Sequence, residues 1–495
     1  MARTRKKNTN KKETDLSATG LVKLVERTPV KLFHTPGREP FVSFFVNGHW
    51  ETWPVKSPEF EHWLSSMCHH ATGMVPGRNG LAAAITALAG HALYANPQET
   101  VYVRLADHDG EIFLDLGNDD WEAVKVTGEG WEIVSDVPVK FRRAAGMLPL
   151  PRPITGGSVG DLRSFLNCDD EEQWTLIVSW LIGALRPVGP FPLLILEGNH
   201  GSAKTMSAKL LLALVDPNIS PLRAEPTSPR NLAIWANNSW CVGLDNLSYM
   251  SDWLSDAFCR LSTGGGFSIR ALYTDSAEKI FEGARPVLLN GIDIGIDRGD
   301  LLDRSIRLEL PPISEERRET EKKLWERFES SRPSILGSLL DAVACALRRL
   351  PGIEAPKLPR MADFATWVCA AEPALGWEEG SFLEAYRQNR EDSNSLALEA
   401  SVLFPLIAQS AERGMWQGTA TELLEVLRME LLTATVSDTT SFPKSARELS
   451  QAMRRLAPNL IQVGVTVEFH KTAGDNSRRM ISIRKSSVAL PDAVD

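Results

Sequence analysis

Residues 192–215 read PLLILEGNHGSAKTMSAKLLLALV. An apolar strand from Leu193 to Leu196 runs into a loop of small residues that ends in Lys204-Thr205, and a helix with periodic apolar residues follows. A strand, a glycine-containing loop and a helix in this order are the elements of a phosphate-binding site. The stretch therefore predicts an α/β fold built around a nucleotide-binding loop, although a chance cluster of Gly, Lys and Thr in a loop is the alternative.

The residue types of the loop suit the binding of ATP with Mg²⁺. Small residues let successive backbone N–H groups curl around the β-phosphate, and the start of the helix favours an anion. Lys204 can bridge the β- and γ-phosphates, and Thr205 can bind Mg²⁺. The usual pattern has Gly at position 203, and Ala203 fits if its backbone is already near-helical, because a Cβ is costly chiefly at positive φ. The predicted cofactor-binding residues are Gly198, Asn199, His200, Gly201, Ser202, Ala203, Lys204 and Thr205.

A second buried run, Trp240 to Leu244, ends in Asp245-Asn246, 41 residues after Lys204. A carboxylate at the tip of a strand next to the phosphate loop is where a Walker B residue holds Mg²⁺. Asp245 is therefore predicted to be catalytic and, with Thr205, metal-binding, although an apolar strand ending in a solvated Asp is also common as plain structure.

Asn246 stands where many related ATPases have a Glu that polarises the attacking water. An amide can orient water but cannot accept its proton, so hydrolysis is slow or uses another base, such as Asp252 or Asp256. The run Pro286 to Asn290 places a further amide at a strand end, 45 residues after Asp245. Asn290 can sense the γ-phosphate and position water.

The segment RGDLLDRSIR, residues 298–307, contains Arg304, fourteen residues beyond Asn290. An Arg here can face the nucleotide of a neighbouring subunit and neutralise charge in the transition state. The alternative is a surface ion pair with Asp297, Asp300 or Asp303, and this interpretation is favoured for Arg298 and Arg307.

The ordered set GNHGSAKT, WCVGLDN, TGGGFSIRALYTD, VLLN and RGDLLDRSIRLELPP resembles the AAA+ ATPase core of superfamily 3 helicases, especially phage and mobile-element replicative helicases of the primase-helicase group. The resemblance covers roughly residues 160–312. It implies a homo-oligomeric ring, commonly a hexamer, with an arginine finger supplied in trans by Arg304. It also implies a DNA-gripping β-hairpin, here Gly264 to Glu282, with strands Phe267 to Thr274 and Lys279 to Phe281, a tip at 275–279 and Lys279 as the DNA-binding candidate.

The C-terminal part reverses the charge of the chain. Residues 441–487 contain nine Lys/Arg and three acids, a local net charge of +6. Helix, loop, helix and a two-stranded wing follow one another in winged-helix order, and Leu449, Met453 and Leu456 share one face of the second helix. Protein contacts are the alternative use of such a module. The residues predicted to bind DNA there are Arg447, Gln451, Arg454, Arg455, Lys471, Arg478 and Arg479.

The predicted organisation has six parts. The two ends, 1–15 and 488–495, are tails, and the first is basic and flexible. Residues 16–155 form an N-terminal α+β domain with hairpins within 101–117 and 121–136, whose role is an oligomerisation collar or an origin-binding element. Three further segments are predicted: the AAA+ core at 156–312, a helical segment or lid at 313–399 and the winged-helix domain at 400–487.

Composition excludes several classes of protein. The 495 residues carry 54 Lys+Arg and 63 Asp+Glu, a net charge of -9, with 43% hydrophobic residues, as in ordinary globular proteins. The 6 Cys form no CxxC pair, so neither a zinc site nor a disulfide framework is expected. No 18-residue apolar stretch or signal peptide is present, which predicts a cytoplasmic protein with no membrane partner.

The leading hypothesis is an ATP-dependent, ring-forming DNA helicase or origin-melting ATPase for phage or mobile-element replication, acting on single-stranded and duplex DNA. The second is a DNA-binding ATPase switch, a loader or regulator without processive unwinding. A third is an inert DNA-binding scaffold, which Ala203 and Asn246 favour.

Overall fold

The computed structural model describes most of the chain. The described residues are 16–270, 278–281, 283–292, 294–296, 298–314, 316, 318–353, 358–399, 401–433, 442–472 and 478–485. The basic tail at 1–15, residues 271–277 of the expected hairpin and the C-terminal tail lie outside them.

The described part of the chain is a mixed α/β structure. Its helices are α1 (Ala18–Glu26), α2 (Pro58–Thr72), α3 (Arg78–Tyr94), α4 (Glu171–Ala184), α5 (Lys204–Val215), α6 (Pro229–Asn238), α7 (Asp252–Thr263), α8 (Gly299–Leu302), α9 (Glu321–Arg349), α10 (Ala362–Ala371), α11 (Ser381–Glu399), α12 (Leu403–Glu412), α13 (Ala420–Thr433) and α14 (Ala446–Gln462). Its strands are β1 (Val30–His34), β2 (Pro40–Val46), β3 (His49–Pro54), β4 (Val101–Tyr102), β5 (Leu105–His108), β6 (Glu111–Asp115), β7 (Ala123–Thr127), β8 (Gly130–Val134), β9 (Lys140–Phe141), β10 (Leu193–Glu197), β11 (Leu222–Arg223), β12 (Val242–Leu247), β13 (Phe267–Arg270), β14 (Glu278–Phe281), β15 (Val287–Gly291), β16 (Ser305–Glu309), β17 (Trp416–Thr419), β18 (Val465–Lys471) and β19 (Arg479–Lys485).

The central feature is a five-stranded parallel sheet in the order β11-β12-β15-β10-β16. Every residue of β10 is buried, and its alternate side chains enter two different cores. A parallel sheet covered on both faces requires such continuous apolar runs. This explains why PLLILE carries no polar alternation.

The connections define where a ligand can bind to this sheet. The chain leaves the carboxyl end of β10 toward the β11 edge, and it leaves the carboxyl end of the neighbouring β15 toward β16 on the other side. Open α/β sheets bind ligands in the crevice where the strand order reverses in this way. The loop after β10 lies at this crevice.

The N-terminal part contains two antiparallel sheets, β1-β2-β3 and β5-β6-β7-β8. Both hairpins expected in this part are confirmed, as β5-β6 and β7-β8. The first turn consists of Asp109 and Gly110, both at positive φ, which is the type I′ geometry that Asp-Gly favours.

One continuous core crosses the boundaries expected at residues 155 and 312. It extends from Leu105 in β5 through α4 and α5 to Tyr386 in α11. The guanidinium of Arg104 is fully buried and donates from Nε to Asp216 Oδ1 at 3.0 Å, just beyond α5. Asp216 Oδ2 also accepts from the N–H of Trp240 at 2.7 Å, so the N-terminal sheet, α5 and the start of β12 are held together.

The C-terminal part forms its own core around α12, α13, α14 and the antiparallel sheet β17-β19-β18. Leu449, Met453 and Leu456 are buried, as their spacing predicted. No pattern in the sequence indicates β17, because four residues are too short for a periodic signal and pairing with β19 makes the strand. α14 also packs on α8, where a Cβ on Gly299 would lie 2.5 Å from Asn459 Oδ1.

None of the described helices is long and apolar enough to cross a membrane.

Candidate functional site

The loop after β10 has the backbone of an anion-binding turn. Gly198, Gly201 and Ala203 have φ of 141°, 79° and 60°, and α5 begins at Lys204. Positive φ values within such a loop turn backbone N–H groups toward one concavity. The first N–H groups of α5 have no partners within the helix and face the same region.

The condition under which Ala203 would fit, a near-helical backbone, is not met, because the residue adopts the left-handed conformation, with φ 60° and ψ 24°. An L-residue with a Cβ pays about 1–2 kcal/mol in this conformation. The fold imposes it here, because the loop must turn from β10 into α5 within a few residues. The backbone therefore explains why Gly is usual at this position.

Replacing Ala203 with Gly is expected to stabilise the protein by about 0.5–1 kcal/mol. Relief of the strained φ outweighs the larger conformational entropy that Gly gives to the unfolded chain. Calorimetry should show a rise of about 2 °C in the melting midpoint of the unit containing the central sheet. Ala203→Val is the opposite control and should lower the midpoint; a lower midpoint for Ala203→Gly would contradict the strain.

Lys204 lies at the mouth of the loop with its ammonium held by neutral acceptors. Its Nζ donates to Gly198 O at 2.6 Å, Asn199 O at 2.9 Å and Ser202 Oγ at 3.2 Å. No carboxylate forms an ion pair with it among the described residues, and partial burial lowers its pKa. A partly desolvated cation without a counter-charge favours an incoming anion such as a phosphate.

Thr205 and Asp245 come together at the carboxyl edge of the sheet. Thr205 Oγ1 donates to Asp245 Oδ1 at 3.0 Å. Hard oxygen ligands, one or two from the protein and the rest from phosphate and water, are what Mg²⁺ prefers. The donor set therefore fits the predicted metal.

The strand that carries Asp245 is longer than expected. β12 continues to Leu247, with a register shift between Leu244 and Leu247, and Asn246 lies in this irregular stretch at φ 53°. Asn tolerates the left-handed conformation better than most residues, so the strand bulges there and resumes.

Asn290 is buried beside this bulge. Its Oδ1 accepts from the backbone N–H of Asn246 at 2.8 Å, and its Nδ2 is buried without a hydrogen-bond partner. The hydrogen bond to Oδ1 fixes the amide, and the unpartnered Nδ2 leaves a donor at the crevice. The side chain of Asn246 is exposed, and this residue contributes to the contact through its backbone.

Both alternative bases lie beside Arg298. The Asp256 carboxylate forms an ion pair with Arg298 at 2.6 Å. Arg298 also donates to the backbone oxygen of Asp252 at 3.0 Å. Arg298 therefore contacts both candidate bases, the first through its carboxylate and the second through its backbone.

Arg304 lies at the amino ends of the strands, whereas the loop lies at their carboxyl ends. Its backbone oxygen accepts from Leu193 N at 2.9 Å, at the start of β10, whereas the loop follows the end of that strand. The five residues of β10 separate the two edges by roughly 15 Å. The guanidinium forms an ion pair with Asp300, which also pairs with Arg360 at 2.6 Å.

Arg298 and Arg307 form ion pairs, as expected, but with residues other than Asp300 and Asp303, and Asp297 lies outside the described residues. Arg298 pairs with Asp256, and Arg307 pairs with Glu197. The partners proposed were near in sequence, whereas register places Ile195 beside Arg307 on adjacent parallel strands and brings Glu197 within reach. Strand register decided the Arg307 pair, and the packing of α7 beside the start of α8 decided the Arg298 pair.

The expected hairpin is present as β13 and β14, with Ile269 opposite Lys279. Glu278 and Lys279 belong to β14, although the sequence placed them in the tip; the antiparallel register, with Arg270 opposite Glu278, extends the strand. Residues 275–277 of that tip and the side chain of Lys279 lie outside the described residues.

The predicted cations of the C-terminal part lie mainly on its surface. The exposed side chains are Arg447, Gln451, Arg454, Lys471, Arg478 and Arg479. The guanidinium of Arg454 stacks over the ring of Phe469 at 4.1 Å, which joins α14 to β18. The side chain of Arg455 lies outside the described residues.

Asn167 supports the loop and was missed in the sequence. Its Nδ2 donates to Pro311 O, after β16, and to Ser202 O at 3.4 Å. No motif connects residues so far apart along the chain, so only their position in the fold reveals the contact.

The fold and the crevice define a mixed α/β protein whose carboxyl-edge residues suit a nucleotide and a divalent cation. Residues 159–395 match the family model for the actinomycete integrative conjugative element replication protein. Residues 400–492 match the model for the C-terminal domain of that replication protein, RepA. The chain is therefore similar to mobile-element replication proteins over most of its length after residue 158.

No curated protein matches the chain. Among solved structures, the apo C-terminal region of NrS-1 has a TM-score of 0.42 and 13% identity, covering 95% of this chain and 100% of that one. The active helicase Cch of SCCmec type IV has a TM-score of 0.46 and 10% identity, covering 91% of this chain and 92% of that one.

Proposed function

We propose that this protein is an ATP-dependent, ring-forming DNA helicase or origin-melting ATPase for replication of a mobile element, with an AAA+ P-loop core at 156–312 and a C-terminal winged helix at 400–487. The observation that carries the proposal is the hydrogen bond between Thr205 and Asp245 at the crevice where Lys204 begins α5. The match to replication proteins supports the biological setting of mobile-element replication.

In this mechanism, bound Mg-ATP supplies the phosphoryl bond that is broken. Lys204 would bind the phosphate chain, and Thr205 and Asp245 would hold the cation, which supplies charge neutralisation. The backbone N–H of Asn246 holds the Asn290 side chain in place. The free Nδ2 of Asn290 then donates to the γ-phosphate or to the attacking water. These groups position and neutralise rather than react covalently.

Arg304 acts on the nucleotide of the neighbouring subunit. The length of β10 separates its guanidinium from the loop of its own subunit. Arg304 therefore cannot contribute its charge to the site of its own subunit. In a ring the amino edge of one sheet can face the crevice of the next. Arg304 must then exchange Asp300 for phosphate oxygens.

The C-terminal part binds duplex DNA through α14 and the wing, while the ring handles single strands. Arg447, Gln451 and Arg454 are exposed on one side of α14, whose other side packs into the core and onto α8. Cations on an exposed helix contact phosphates and base edges. The contact between α14 and α8 connects this surface to the helix just before Arg304.

The double change Arg447→Ala with Arg454→Ala is expected to weaken duplex binding. It should also lower the salt slope of log affinity by about 0.9 for each phosphate that the variant no longer neutralises. The buried face of α14 is untouched, so the part should stay folded. Fluorescence anisotropy on duplex DNA over a range of salt measures both effects.

The matched control is Lys322→Ala with Lys323→Ala, which removes the same charge from exposed positions of α9. Unchanged affinity in the folded α14 variant would assign this helix to protein contacts instead.

The experiment that tests the proposed function measures ATP turnover with and without single-stranded DNA, strand separation of a forked duplex, and native mass. The expected result is DNA-stimulated turnover by an oligomer that separates strands. A monomer that neither hydrolyses ATP nor separates strands would contradict the proposal.

A DNA-binding ATPase switch is the second candidate, favoured by Asn246 and by the pairing of Asp256 with Arg298. An amide cannot accept the proton of the attacking water, and the Asp256 carboxylate is engaged by a guanidinium. ATP-dependent assembly on DNA without strand separation would select this candidate.

A further inference from the structure

The segment after β16 is fastened along the phosphate loop. Leu310 N donates to Glu197 O at 2.8 Å, and Ile313 N donates to Gly201 O at 3.0 Å. A Cβ on Gly198 would lie 2.3 Å from Leu310 O, so the two segments touch through their backbones. The position of the residues that follow Ile313 is thereby tied to the loop.

Arg318 is brought beside the loop by this attachment. A Cβ built on Gly201 would lie 3.9 Å from Arg318 Nη2, and the Arg318 side chain is exposed. No ion pair or hydrogen bond of the guanidinium is found in the part of the chain that the structure describes. By contrast, Arg327 in α9 pairs with Glu319 at 2.5 Å.

The two cations approach the loop from different places. Lys204 Nζ contacts the backbone of Gly198 and Asn199, whereas Arg318 lies at Gly201. A guanidinium offers a planar fork of donors that matches phosphate oxygens in pairs, and it carries its charge at every physiological pH. An unpaired fork at the rim of an anion-binding turn suits a phosphate chain.

We propose that Arg318 is a second cation for the phosphate chain of the nucleotide that the loop binds. The inference rests on the proposed function, because it requires that loop to bind ATP. It adds a residue of the same subunit that none of the sequence motifs contains.

The test compares Arg318→Ala with Lys323→Ala, which removes an equal charge from an exposed position five residues away. Isothermal titration calorimetry with ATP and with inorganic tripolyphosphate measures affinity without requiring hydrolysis. Loss of a charge-assisted hydrogen bond should weaken both ligands about tenfold or more in Arg318→Ala. Lys323→Ala should bind as the parent does, and Arg318→Lys should lie between.

The melting midpoint without nucleotide should be the same for Arg318→Ala and the parent, because the side chain is exposed and unpaired. If Arg318→Ala disturbs the segment, Arg318→Gln is the second variant. Parental affinity in a folded Arg318 variant overturns this inference and leaves the proposed function standing. Two further outcomes assign the contact to the base and also overturn the inference. In the first, Arg318→Ala loses affinity for ATP but not for tripolyphosphate. In the second, the parent binds ATP but not tripolyphosphate. A parent that binds no nucleotide overturns both.

Discussion

Replacement of Lys204 with alanine is expected to lower ATP turnover by at least about 10²–10³-fold, to the level of background. Its ammonium is the charge placed to bridge the β- and γ-phosphates, because Lys204 is the first residue of α5, directly after the loop. The side chain is only partly buried and bonds to loop oxygens, so its removal should leave the two cores intact. Steady-state phosphate release measures the effect.

Lys209→Ala is the matched control for this change. Lys209 lies on the same helix, with its Nζ 3.4 Å from Glu321 Oε1, away from the loop. Its removal costs little, because a partly exposed ion pair contributes under about 1 kcal/mol. Equal turnover in Lys204→Ala and the parent would place the ATPase site elsewhere.

Replacement of Arg304 with alanine is expected to reduce kcat by about 10³-fold or more and to change nucleotide affinity little. Each subunit would retain its own Lys204, Thr205 and Asp245, so binding persists while charge in the transition state is left uncompensated. Calorimetric binding and turnover, measured on the same preparation, separate the two effects.

Mixing decides whether Arg304 works between subunits. Arg304→Ala and Lys204→Ala subunits are each inactive alone, but a mixed ring contains some interfaces where an intact loop faces an intact Arg304. Partial recovery of turnover is the expected result. Native mass spectrometry confirms that the rings are mixed, and absence of recovery in such rings would refute the assignment in trans.

Local sequence patterns were sufficient for the elements around the site. The buried strand, the loop and α5 follow from residues adjacent along the chain, as do the β5-β6 turn at Asp109-Gly110 and the buried face of α14. Short-range sterics and the spacing of apolar residues determine such features. Asp245 and Thr205 meet because the carboxyl ends of parallel strands lie at the same end of a sheet.

The conformation and partners of the remaining residues required the tertiary structure. The left-handed backbone of Ala203 follows from how β10 and α5 must join, and the partners of Arg298 and Arg307 follow from packing and strand register. Arg318 reaches the loop only because backbone hydrogen bonds fasten the segment after β16 to it.

The sequence by itself determined which residue types stand at the ends of the strands, and so the chemistry that the crevice can perform. Which charges pair with one another, and which stay available to a ligand, depended on distances between residues far apart along the chain. Electrostatic interactions and hydrogen bonds depend on those distances and on burial, and no linear pattern encodes either.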